Sequence, residues 1–275
     1  MTDEQDKKTG DEAGSGTDDR RGPTRRALLA GAASGLVLGA AQPLWAFGET
    51  SRLTVGLVQH GGNWNPRPNG VRKVLQEVEK RTSIAIDPVS RGVSPSARER
   101  LFEHPLLVWA GDGEFPPLNA RERENLSLFV RAGGLILADS AEAQLGGGFE
   151  RSIRREIDAI VPGRPFQEIP RSHVLYKSFY LVPEAVGRVS VSRKMDAVFG
   201  EDRALVLLSH NDLLGAWSRD NFGQYEYDVF PGGERQREMS YRLGINIVMY
   251  AMCLNYKEDQ VHVPFILKRR KWKVD

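Results

Sequence analysis

Short apolar runs alternate along this chain with stretches whose apolar residues recur at helical spacing. RLTVGLV, residues 52–58, is a β-branched run that predicts a first strand, ending in the loop HGGNWNPRPNG at 60–70. Val71, Val74, Leu75 and Val78 then fall on one helical face, with Pro68 and Asn69 as the start signal. SIAIDPV predicts a second strand stopped by Pro88, and HPLLVWAG, residues 104–111, a third. A helix is expected over 119–132, halted by Gly133 and Gly134, before a fourth strand that ends on Asp139. FERSIRREIDAIV reads as a helix, HVLYKSFYLV as an excursion or hairpin, RALVLLS as a fifth strand and YRLGINIVMYAMC as an apolar closing helix. This alternation predicts an α/β fold with a single doubly wound, mostly parallel sheet. Near-continuous apolar runs such as LLVWA and LILA suit strands covered on both faces.

The pattern fails over the first forty-six residues. MTDEQDKKTGDEAGSGTDDRRGP is polar and aperiodic, so burial cannot offset its ordering entropy. Arg25 and Arg26 then precede an uncharged stretch, and a Pro-Leu-Trp-Ala segment ends at Ala46. This resembles a twin-arginine export signal cleaved after Ala46. The stretch is shorter than the roughly twenty apolar residues of a membrane span and is diluted by glycine and alanine. The expected organisation is therefore a leader and signal over 1–46, a family domain over 47–267 and a basic tail over 268–275. The expected location is the periplasm, with attachment to the membrane if the signal stays on.

Composition narrows the classes. Of the 275 residues, 40% are apolar and 27% charged, which excludes a wholly disordered chain. Cys253 is the single cysteine, so neither an internal disulfide nor a thiolate metal cage is available, and its place in the apolar last helix suggests a buried small hydrophobe. Net charge is +2, with a local basic run of Lys268, Arg269, Arg270, Lys271 and Lys273. That run offers a contact to an anionic surface or acidic partner; one short run is a weak footprint for nucleic acid.

Candidate chemistry gathers at strand ends. If the sheet is as predicted, His60, Asp112, Asp139, His210 and Asp212 approach one crevice, and His173 joins them from the excursion. Asp139, His173 and Asp212 are the acid-base candidates, and Asp139, His210 and Asp212 the candidate metal ligands. The spacing matches no recognised metal motif, and each residue has a structural alternative: His60 and Asp112 in turns, Asp139 capping the next loop, His173 in the core, Asp212 as an N-cap. A serine mechanism through Ser140 lacks the G-x-S-x-G signature, and Ser140 is expected to be a hydrogen-bonding loop residue. His60, Asn63, Trp64, Arg67 and Asp112 form a candidate ligand-binding set, since an aromatic ring and amides on a loop suit carbohydrate-like or peptide recognition. No phosphate-binding glycine motif occurs, and the sequence names no cofactor.

GGLILAD at 133–139, SHVLYKSFY at 172–180, SHNDLLGAW at 209–217 and RLGINIVMYAM at 242–252 resemble the hallmark segments of the domain of unknown function 4159 family. More distantly, a helix ending in a double glycine before a strand resembles class I glutamine amidotransferase-like folds, within the broader flavodoxin-like architecture. In active amidotransferases the corner after that strand bears a cysteine; here it is Asp139-Ser140. The signal predicts export, the Asp139-Ser140 corner a binding or assembly module without a cysteine nucleophile, and the family resemblance implies a place in the cell envelope with an envelope protein partner. The alternative is a metal-assisted or acid-base hydrolase of a carbohydrate-like ligand.

Overall fold

The computed structural model of the protein describes residues 52–253. The leader with Arg25, Arg26 and Ala46, and the basic run from Lys268 to Lys273, lie outside them. In chain order the elements are β1 Val55–Val58, α1 Gly70–Arg81, β2 Arg91–Val93, α2 Arg98–Leu101, β3 Leu106–Gly111, α3 Ala120–Arg131, β4 Leu135–Ser140 and α4 Gly148–Ile160. There follow β5 Gln167–Glu168, a 3₁₀ turn Val174–Tyr176, β6 Asp196–Phe199, β7 Ala204–Ser209, α5 Leu213–Trp217 and α6 Gly233–Cys253. The seven strands form one sheet in the order β2-β1-β3-β4-β7-β6-β5. Strands β2 to β7 in that order are parallel, and β6 and β5 close the far edge antiparallel. The fold is a doubly wound α/β sheet, and the described residues fall in one compact unit.

Both faces are covered, as the apolar runs require. Leu135 and Leu137 of β4 join the core beneath α1, α5 and α6, while Ile136 and Ala138 join the core beneath α3 and α4. This is the two-residue alternation of a strand, and it continues into the site: Asp139 takes the α5 face and Ser140 the α4 face. Helix α3 lies within the expected 119–132, and Asn119 is its N-cap, with a reciprocal capping box between Asn119 and Glu122.

Several elements depart from expectation. SIAIDPV supplies only an isolated bridge, Ile86 to Leu53, and the edge strand β2 forms beyond Pro88. Proline lacks the N–H a ladder needs, so pairing resumes only after it. Of the two forms expected for HVLYKSFYLV, it takes the excursion and not the hairpin. The Asn246 side chain on α6 accepts from the amides of Phe179 and Tyr180 and donates to the carbonyls of Leu175 and Tyr180, holding the segment as an irregular loop. Strands β5 and β6 and the short helices α2 and α5 carry too few residues for a periodic signal. Cys253 is exposed at the end of α6 rather than buried, because the helix runs past the core it covers. Among the described residues no helix is long and apolar enough to cross a membrane.

Candidate functional site

The chain order of the strands reverses between β1 and β3: β2 lies on one side of β1 and β3 on the other. Open α/β sheets bind ligands outside the carboxyl ends of strands at such a switch point. The loops after β1 and β3 meet there. His60 Nε2 lies 2.9 Å from the Ala110 carbonyl oxygen, and its Nδ1 accepts from the Gly62 amide at 3.1 Å. The ring therefore donates through Nε2, the neutral tautomer with both nitrogens engaged. Burial lowers the His60 pKa, partly offset by the Ala110 hydrogen bond and by Asp112. The exposed Asn63 amide donates to Asp112 at 2.7 Å. Trp64 packs against the core on the α1 side, close to Gly92, instead of presenting a free ring.

Arg67 leaves this group for a second cluster beneath α5. Asp212 holds a left-handed backbone, φ 54°, which costs on the order of 1 kcal/mol for a residue with a side chain. The cost is offset by what the conformation places. The Asp212 carboxylate accepts from the Gly215 amide, from Arg67 Nε and Nη2 and from Arg188 Nε, and its side chain is fully buried. Arg67 also lies over the Tyr227 ring at 4.1 Å. Asp139 sits alongside, its two oxygens accepting from the Leu213 and Leu214 amides at 2.9 Å each. These are orphan donors at the start of α5, so Asp139 is the tertiary cap of that helix. Gly70 must be glycine for the same assembly: a Cβ there would stand 2.5 Å from the Leu214 carbonyl oxygen.

Burial pushes the Asp139 carboxyl from 3.8 up to about 7, and the Asp212 charge adds to the rise; the Leu214 and Leu213 amides and Ser209 oppose it.

On the opposite face of the same strand ends lies a third cluster. His210 is 3% exposed, with Nδ1 3.2 Å from Glu150 and Nε2 3.5 Å from Asp196. The first approach lacks hydrogen-bond geometry, so it is an ion-pair distance without an aligned bond. Arg154 ties the two carboxylates together, donating to Glu150 at 2.8 Å and Asp196 at 2.6 Å. The His210 contact, then Arg154, hold the Asp196 carboxyl below its ordinary range against burial. Ser140, expected to be a hydrogen-bonding loop residue, is instead the last residue of β4, wholly buried and without a hydrogen-bond partner among the described residues.

The expected constellation therefore divides. Asp139 and Asp212 meet. His210 stands two residues before Asp212 in the chain but faces Glu150 of α4. His173 is remote from all three: it caps the 3₁₀ turn through Nδ1 to the Leu175 amide and packs on Phe199 and Tyr250. Tyr250 in turn accepts from the amide of Ala204, at the amino end of β7, whereas Asp139 pairs with Ser209 at its carboxyl end. The trio Asp139, His173 and Asp212 is thus not assembled. Among the described residues, no group of three or more His, Cys, Asp and Glu side chains is placed to hold a metal ion. In particular, Asp139, His210 and Asp212 do not converge on one point.

Arg188, Glu150, Arg154 and Asp196 are participants that the sequence did not single out. Strand alternation could have separated Asp139 from Ser140; nothing local announces that Arg188, on an irregular segment, reaches Asp212.

No curated protein matches the chain. The profile described as Domain of unknown function (DUF4159) matches residues 54–252, from the edge of β1 to the penultimate described residue of α6. That span holds the whole sheet and all three polar clusters, and by this match the chain belongs to the domain of unknown function 4159 family.

Proposed function

We propose that the protein is an exported α/β binding or assembly module of the cell envelope, which recruits a partner through the loops at the switch point. One observation carries this reading: the two carboxylates of the expected acid-base set are committed internally, Asp139 to the amides of α5 and Asp212 to Arg67 and Arg188. A general acid or base must reach a proton on a substrate, and these groups are buried against their own chain. The polar side chains that remain exposed at the switch point, Asn63 and Asp112, suit recognition. The resemblance of Arg25-Arg26 and its apolar sequel to an export signal supports the envelope location.

The test is crosslinking and recovery of tagged protein from solubilised envelope, run beside a hydrolase panel. A specific partner whose recovery falls at least tenfold with Asn63→Ala, Asp112→Ala is the expected result. Turnover in the panel that disappears with Asp139→Asn would overturn the reading in favour of an acid-base hydrolase. Equal export of wild type and an Arg25→Lys, Arg26→Lys variant would remove its envelope half.

A further inference from the structure

The amino ends of the strands, opposite the clusters above, border a cavity of about 960 Å³. Its walls come from the end of α3, the segment after α4, the 3₁₀ turn, the β6–β7 connection and the end of α6. Such a volume lies in the range of small-molecule sites. The lining is apolar in its depth, with Val130, Ile160, Val161 and Leu205, and Tyr250 forms part of one wall.

Two guanidinium groups stand on this lining without an ion-pair partner among the described residues. Arg131 Nε donates to the Ser127 carbonyl at 3.3 Å, and Arg164 Nη1 donates to the Phe199 carbonyl at 3.1 Å. A guanidinium carries five N–H groups in a fixed fork, so each arginine is steadied by one bond and keeps donors for another acceptor. Arg203 differs, because its fork is directed at the carbonyls of Val130 and Gly134. Glu201 and Asp202 stand on the β6–β7 connection, which begins just after the Phe199 whose carbonyl steadies Arg164.

We propose that this cavity is a binding site for an amphiphile with an anionic head, a carboxylate or phosphate monoester held by Arg131 and Arg164 over an apolar body. The planar fork of an arginine suits bidentate recognition of either head. The proposal is independent of the recruitment reading, which uses the other end of the sheet.

Calorimetric titration of the folded protein with dodecanoate and with dodecyl phosphate, beside uncharged decyl glucoside and below micellar concentrations, tests it. Saturable one-to-one binding of at least one anion is expected, at least tenfold tighter than the uncharged control. Arg131→Gln, Arg164→Gln should weaken it at least tenfold, and so should Val174→Trp, which fills the cavity from a side chain already 40% exposed. Because all three positions are solvent-facing, unchanged thermal unfolding of the variants certifies their fold. Preference for dodecanoate assigns a fatty-acid-like guest, and preference for dodecyl phosphate a lipid-phosphate-like one. Absence of saturable binding, equal binding of the uncharged control, or affinity indifferent to both variants overturns the proposal.

Discussion

Asp139 and Ser140 are consecutive residues at one strand end, both buried, and they meet opposite fates. Asp139 turns to the α5 face, where both its oxygens cap helix amides and a neighbouring carboxylate is neutralised by two arginines. Ser140 turns to the α4 face, where its hydroxyl has no partner among the described residues, while Glu150, Asp196, Arg154 and His210 pair with one another on that face. The difference shows that burial of a polar group says little by itself; what matters is whether the elements packed above it bring complementary groups. A short helix aimed amino end first gives a carboxylate a role, and the next residue of the strand, on the other face, meets no such donor.

The comparison can be broken most forcefully at Asp212. Removing it leaves Arg67 and Arg188 partly buried and uncompensated and frees the first turn of α5. Asp212→Ala is expected to cost about 3–5 kcal/mol in urea unfolding, the scale for breaking a buried pair. A loss below about 1 kcal/mol would show that the α5 face is not held by this carboxylate. Across the sheet, Glu150 accepts from the Gly146 amide and from Arg154 beside His210. Glu150→Ala should cost about 1.5–3 kcal/mol, the scale of hydrogen bonds to a charged group, measured in the same way.

Asp139 sharpens the contrast through pH. Its folded pKa is raised, so the neutral form is favoured in the fold. The stability it contributes is fully present below about 3.8 and is lost as pH rises through about 7. Asp139→Asn cannot ionise. Its amide nitrogen cannot accept from one of the two α5 amides, so the variant should be less stable than wild type by about 1–3 kcal/mol at pH 5, the scale of one unsatisfied buried donor, and that gap should narrow or reverse at pH 8. Parallel stability profiles of the two proteins between pH 5 and 8 would exclude a raised pKa at this position. The smallest effect belongs to Ser140→Ala, which deletes an unpaired buried hydroxyl. Its unfolding free energy should be unchanged or higher by up to about 1 kcal/mol, and a clear loss would reveal a partner for that hydroxyl.

Much of the scaffold was legible because it rests on local periodicity. The helical spacing of Val71, Val74, Leu75 and Val78, the stop of α3 at Gly133 and Gly134 and the continuous runs of β3, β4 and β7 each carry their signal within one segment. The antiparallel edge was not legible, since Gln167–Glu168 is an exposed pair whose strand character exists only through pairing with β6. The site was half legible. Strand-end polarity marked Asp139, Asp212, His60 and Asp112, but the expectation that His173 joins them failed because the excursion packs its ring beside the amino end of β7.

The sequence by itself determined a doubly wound sheet with two covered faces, an N-terminal segment unlike the rest, and a thiol-poor chain with polar residues where strands stop. Only the tertiary structure decided what those residues do. Strand alternation assigns Asp139 and Ser140 to opposite faces, but which helix lies over each face depends on contacts from distant parts of the chain. Arg67 and Arg188 reach Asp212 from 145 and 24 residues away. Such pairings have no local signature, because hydrogen bonds and ion pairs act over a few ångströms of space and not along the chain.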